Sequence, residues 1–302
     1  MIHSIINRFV ITIIPLLPLS FVRMIARRYV AGESSIEALK IVQGLNAKGF
    51  SATLDILGEH AKNKSEAQSV VNEYAILYDN IHNQKLDCNI SIKPTHIGLD
   101  IGKSFARINL SALINKAHET HNFLRIDMES SEVTNITLDL YNECKKQYSE
   151  VGPVLQAYLY RSEHDLKLLC ADRSCNFRLC KGIYRESPKI AIQNKLEINY
   201  NYLKLLRHAF ENKIYIGIAT HDLELLEEIY KIIEELNIPT ENFEFQVLYG
   251  VPMSGWLQRH LEKGYKVRIY VPFGKDWYEY SMRRLKENPN IAGYILKDFF
   301  RI

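Results

Sequence analysis

Residues 214–250, IYIGIATHDLELLEEIYKIIEELNIPTENFEFQVLYG, place one short β-branched run, one helical pattern and a second short run in succession. The first run, 214–221, has the length of a strand buried on both faces, and so does the last, 243–250. Between them Leu223, Leu226, Ile229, Tyr230 and Ile233 recur at helical spacing against Glu224, Glu227, Glu228 and Lys231. From residue 50 onward this alternation occurs eight times, with strand runs at 50–57, 87–94, 123–129, 154–159, 177–184, 214–221, 243–250 and 266–274. The chain therefore reads as α/β, a (β/α)8 TIM-type barrel over 49–302 with an N-terminal helical arm over 1–48.

A chain of 302 residues can bury one large core or two medium ones, and 47% hydrophobic with 24% charged residues is an ordinary globular composition. The net charge of +3 comes from 38 basic and 35 acidic residues spread along the chain, without the clustered stripe that nucleic-acid binding needs. Cysteines at 88, 144, 170, 175 and 180 form an odd set with no zinc-knuckle spacing, which points to a reducing cytoplasmic compartment. The ten histidines show no paired ligand spacing, so no metal is expected. The segment from Gly98 to Gly102-Lys103-Ser104 imitates a phosphate-binding loop, but Ile97 stands where its first glycine belongs.

The N-terminus carries an almost uncharged run, 9–22, broken by Pro15 and Pro18 and flanked by Arg8 and Arg23. It is too short to span a bilayer and lacks the small-residue cleavage site of a signal peptide. Two readings stand: an arm docked on its own barrel, or a shallow contact with the inner face of a membrane, helped by Arg23, Arg27 and Arg28.

In a barrel of this kind the chemistry lies at the C-terminal ends of the strands. Lys93, Asp127 with Met128 and Glu129, Gln156, Arg178, Lys181, Thr220, His221 and Tyr270 fall there. Buried charges demand partners, and Lys93 with Asp127 suits a structural ion pair as well as a catalytic one. Beyond the last strand, Asp276 can cap a helix beginning at Trp277. Tyr280, Arg283, Arg284 and Glu287 then share one face, opposite an apolar face of Tyr278, Met282 and Leu285. Adjacent arginines can form a carboxylate trap, with Glu287 offsetting their repulsion, or a solvated basic patch.

These last stretches, Arg268-Ile-Tyr270-Val-Pro272-Phe-Gly274 and Tyr280-Ser-Met-Arg283-Arg284, resemble the closing strand and helix of the proline dehydrogenase family. Ser91-Ile-Lys93-Pro94-Thr95, Arg125-Ile-Asp127-Met128-Glu129, Arg178-Leu179-Cys180-Lys181-Gly182-Ile183-Tyr184 and Thr220-His221 are similar to its other motifs, with Cys180 and Ile183 as apolar replacements. The resemblance covers the chain beyond the first twenty-odd residues and implies FAD-dependent oxidation of L-proline to 1-pyrroline-5-carboxylate, with a quinone as electron acceptor. It further implies that Arg283 and Arg284 hold the proline carboxylate, with Glu287 steadying them. Lys93, Tyr184, Leu179, Leu248, Tyr270 and Tyr280 then surround the substrate. Asp127 and Arg178 take part in catalysis, Arg178 beside flavin N5. Met128, Gln156, Lys181, Gly182, Ile183, Thr220 and His221 contact FAD. At this length a monofunctional enzyme is expected. The alternatives are a dehydrogenase of 4-hydroxyproline or another cyclic imino acid, which a bulky Tyr280 disfavours, and a non-catalytic, membrane-associated binding barrel.

Overall fold

The computed structural model describes residues 22–23, 26–172 and 174–287, with side chains in the last helix through Arg283. In chain order the elements are α1 (Ser35–Asn46), β1 (Ser51–Ile56), α2 (Lys64–Asn83), β2 (Cys88–Ile92), α3 (Lys103–Glu119), β3 (Leu124–Ile126), α4 (Thr134–Lys145), β4 (Val151–Gly152) and β5 (Val154–Gln156). They continue with α5 (Ser162–Leu169), β6 (Asn176–Cys180), α6 (Lys195–Glu211), β7 (Tyr215–Ala219), α7 (Leu223–Glu235), β8 (Phe243–Leu248), α8 (Trp256–Glu262), β9 (Val267–Phe273) and α9 (Trp277–Glu287).

All pairings among these strands are parallel, and β1 pairs with both β2 and β9, which curls the sheet into a barrel. The strand order β4-β3-β2-β1-β9-β8-β7-β6-β5 leaves β4 and β5 at its two ends. These two are halves of one stave interrupted at Pro153, so nine strands make eight staves. Proline lacks the N–H that a ladder requires. Arg125 covers the interruption: its Nη1 donates to the carbonyls of Pro153 (2.9 Å) and Asn176 (2.8 Å), and its Nη2 to Asn176 Oδ1 (2.6 Å). The fourth strand expected at 154–159 thus begins earlier, ends at Gln156 and is split.

The fifth expected run, 177–184, ends as a strand at Cys180. Gly182 turns the chain out with φ +106, and a Cβ there would meet the Tyr158 ring at 2.1 Å. Likewise 123–129 and 214–221 leave the sheet at Ile126 and Ala219, putting their polar ends in loops at the mouth.

Around the barrel the helices bury one face each. On α7, capped by Asp222 accepting from Leu225 N, the buried set is Leu225, Leu226, Ile229, Tyr230, Ile232 and Ile233. Helix α1 carries a capping box between Ser34 and Glu37 and buries Ala38, Leu39 and Val42 against β1 and β9. A second apolar cluster joins Val22, Ala26, Tyr29 and Val30 to Leu57, Trp277, Tyr280 and Met282, so these four residues ahead of α1 pack on α9. Tyr280, placed by the sequence on the face opposite Met282, is buried as Met282 is. The helix is gripped between the arm residues and the barrel mouth. Residues 1–21, which hold all of the apolar run but Val22, lie outside the described residues. Among the described residues no helix is long and apolar enough to cross a membrane.

Candidate active site

A cavity of about 750 Å³ opens at the C-terminal ends of the staves. Alternation along each strand decides what enters it. On β6 the inward residues are Arg178 and Cys180, whereas Leu179 points outward into the core, its carbonyl accepting from Tyr202 OH on α6. Leu179 is therefore not a wall of the site, contrary to expectation. Lys93, Asp127, Met128, Gln156, Arg178, Lys181, Gly182, Ile183, Tyr184, Thr220, His221, Leu248, Tyr270, Tyr280 and Arg283 all line the cavity. The side chains of Arg284 and Glu287 lie outside the described residues.

The charges pair differently from the sequence reading. Lys93 Nζ donates to Asp55 Oδ2 at 2.7 Å rather than to Asp127. Asp127 instead accepts from Arg178 Nη1 at 2.5 Å and from Tyr270 OH at 3.0 Å. The Arg178 guanidinium lies over the Tyr270 ring, 5.1 Å from its centre. Asp55 was missed because it sits within the run 50–57 rather than at its end. A lone acid in an otherwise uncharged buried strand was the signal available.

Burial pushes the Asp55 carboxyl up; Lys93 opposes that, and the nearby Asp127 charge adds to it. Asp127 is also buried, but Arg178 and then Lys93 outweigh the burial and hold it below the usual range. For Lys93 burial acts downward, yet Asp55 and Asp127 raise it and keep the ammonium charged. Two carboxylates with separated affinities for a proton thus face two fixed cations. Burial pushes the Cys180 thiol up to about 11 against the opposing Arg178 charge, which disfavours its thiolate. Among the described residues no group of three or more His, Cys, Asp or Glu is arranged to hold a metal.

The rim is polar and stapled. Lys181 Nζ meets Asp222 Oδ2 at 2.5 Å, and Asp222 also accepts from Asn199 Nδ2 at 3.1 Å. His221 Nε2 accepts from Leu248 N at 2.9 Å, tying the ends of β7 and β8 together. Gln156 Nε2 donates to the Glu129 carbonyl at 2.9 Å. Tyr158 and the positive φ account for Gly182 without any ligand. On the open side Arg283 is half exposed, 3.8 Å from Glu59, another lining residue that the sequence reading passed over. Asp222, Gln246 and Val247 are among the further additions, with Leu57, Gly58, Val154, Cys180 and Ala219.

A sequence model of the proline dehydrogenase family matches residues 38–295. Proline dehydrogenase 1 of Bacillus subtilis subsp. natto is 38% identical over 280 residues, covering 92% of each chain. Proline dehydrogenase of Deinococcus radiodurans is 32% identical, covering 92% of this chain and 90% of its own. Among solved structures, proline utilization A from Bdellovibrio bacteriovorus inactivated by N-propargylglycine superposes with a TM-score of 0.81 at 28% identity. That match covers 88% of this chain and 33% of the other.

Proposed function

Since this chain belongs to the proline dehydrogenase family, we propose that it oxidises L-proline to 1-pyrroline-5-carboxylate with FAD as cofactor and a quinone as the final acceptor. The observation that carries this reading is the gathering, in one mouth cavity, of the acidic, cationic and aromatic side chains from separate staves.

The cavity is far larger than one imino acid requires and lies in the range of cofactor sites. Its donor set also suits a flavin. Arg178 is buried and cationic, and among the described residues its Nη2 has no acceptor. When bound, FAD supplies a two-electron acceptor for hydride. Proline loses a hydride from C5 and a proton from nitrogen, the C5–N bond becomes double, and the product opens in water to glutamate semialdehyde.

Arg283, with Arg284 beside it, would clamp the carboxylate and so fix C5 in place. Tyr270 and Tyr280 would pack on the ring, with Tyr184 and Leu248 as further walls. A bulky phenol at Tyr280 favours proline over its 4-hydroxy derivative. Asp127, held ionised by Arg178 and Lys93, would order the Tyr270 hydroxyl. Arg178 would stabilise negative charge on the reduced cofactor. Met128, Gln156, Lys181, Gly182, Ile183, Thr220 and His221 would line the cofactor's share of the cavity. Closure of α9 over the mouth would exclude water.

The deciding experiment is the visible spectrum of the FAD-loaded protein under anaerobic L-proline. Bleaching of the flavin band is expected. Bleaching by 4-hydroxyproline alone would select the other substrate, and a protein that neither carries nor takes up FAD would overturn the reading. For the N-terminal arm the reading is a cytoplasmic protein in peripheral contact with the membrane. Deleting residues 1–21 is expected to abolish sedimentation with anionic vesicles, and unchanged sedimentation would refute that role.

A further inference from the structure

Inside the barrel, below the cavity, hydrogen bonds run from Arg178 toward the opposite end. Arg178 Nε donates to Gln246 Oε1 at 2.6 Å, and Gln246 Nε2 donates to Glu244 Oε1 at 2.7 Å. Glu244 Oε1 also accepts from Arg268 Nε at 2.7 Å, and Arg268 Nη1 donates to the Ala52 carbonyl at 2.6 Å. All four side chains are buried. The chain of bonds dictates the residue type at 246: the group must accept on one side and donate on the other, which an amide does and a carboxylate or an aliphatic side chain does not. Glu244 remains an acceptor throughout the neutral range. Burial would raise its carboxyl, but Arg268 holds it down at about 2.

The contact between Gln246 and Arg178 skips a stave. Arg178 on β6 is level with Gly217 on β7, and Gly217 is level with Glu244 on β8. Gln246 reaches Arg178 across the place where a side chain of residue 217 would stand. A Cβ on Gly217 would lie 2.4 Å from Gln246 Nε2 and 2.8 Å from its Cδ. Gly217 is not among the glycines with positive φ, so this position uses the missing side chain rather than backbone freedom.

We propose that Gln246 is a positioning residue for Arg178, and that Gly217 is the vacancy through which it acts. The proposal rests on the reading of Arg178 as the cation beside the reactive end of the cofactor. A guanidinium is a rigid planar fork, so fixing Nε by Gln246 and Nη1 by Asp127 fixes the plane and leaves Nη2 for the ligand. Neither Gln246 nor Gly217 needs to touch proline for this.

The test uses the FAD-loaded full chain and three variants: Gln246→Met, Gly217→Ala and the double substitution, with Arg178→Met as reference. Flavin reduction by proline is followed in anaerobic stopped flow, proline affinity is read from its concentration dependence, and the flavin midpoint potential is measured by dye equilibration. Each single variant is expected to slow reduction about 10- to 100-fold, the cost of a misplaced group, with proline affinity held within about 3-fold. The midpoint potential is expected to become more negative. The double variant is expected to be no slower than the slower single one, because both act on one contact. Unchanged reduction rate and potential in both singles, or a double loss equal to the product of the two, would overturn the proposal. If Q246M does not fold, G217A decides alone, since it removes no hydrogen-bonding side chain and only moves Gln246. An unaltered potential in R178M would instead remove the underlying reading of Arg178. A lowered potential in R178M, without one in Q246M or G217A, would overturn this proposal alone.

Discussion

Lys93 illustrates what single residues disclose and what they hide. Its place at the end of a strand run was readable, because a charge in an apolar run must face something polar. Its partner was not, because Asp55 lies 38 positions away on the neighbouring stave. Lys93→Met leaves Asp55 buried without its counter-ion, and a loss of about 3 kcal/mol in urea unfolding is expected. Adding Asp55→Asn should recover part of that loss, and failure to recover it would deny the pair. Arg283 poses the opposite case. It is half exposed, so Arg283→Met should leave unfolding nearly unchanged while raising the apparent KM for proline about 10- to 100-fold, the worth of a hydrogen bond to a charge. An unaltered KM would remove the carboxylate role.

At the level of elements, the period-two and period-3.6 patterns located the staves and helices well, and their ends poorly. Strand runs were drawn too long because β-favouring side chains recur past the last ladder bond, as with Ile183 and Tyr184, although Gly182 has already turned the chain away. The break at Pro153 was overlooked for a related reason: a proline between Gly152 and Val154 reads as a strand start, whereas the barrel uses residues on both sides of it. Helix α9 owes its position to neighbours distant in sequence. Trp277 packs with Val22, Ala26, Tyr29 and Val30, and Arg23 lies over its ring at 5.4 Å. Trp277→Ala is expected to raise the KM for proline and to speed hydrogen exchange across Trp277–Glu287, while the barrel melts near its original temperature. A large fall in Tm with unchanged exchange in α9 would contradict that division.

Across the whole molecule, two buried histidines contribute to the response to acid. His96 and His260 are pushed down to about 4, by burial first and then by Lys93 and Arg259 respectively. The unfolded chain takes up those protons near pH 6.5, before the folded chain can. The contribution of these two histidines is therefore complete above pH 6.5 and is lost as pH drops toward 4, by up to about 1.4 kcal/mol per pH unit for each. His260 stacks on Phe245 at 3.8 Å between ring centres and its Nδ1 meets Tyr230 OH at 2.8 Å, so His260→Phe should keep the ring packing, lower Tm throughout and make the fall in Tm between pH 6.5 and 4 shallower, His96 supplying the remainder. An equally steep fall in that variant would place the acid response elsewhere. By itself the sequence determined the alternation of strand and helix, hence a barrel, and the polar residues at its mouth, because side-chain periodicity and strand-end position are local properties of the chain. Only the tertiary structure decided that Lys93 meets Asp55, that Arg178 is held between Asp127 and Gln246, that Leu179 faces outward, and that Val22, Ala26, Tyr29 and Val30 support α9. Those outcomes depend on the stagger at which the staves close, and closure is set by the packing of all the staves together.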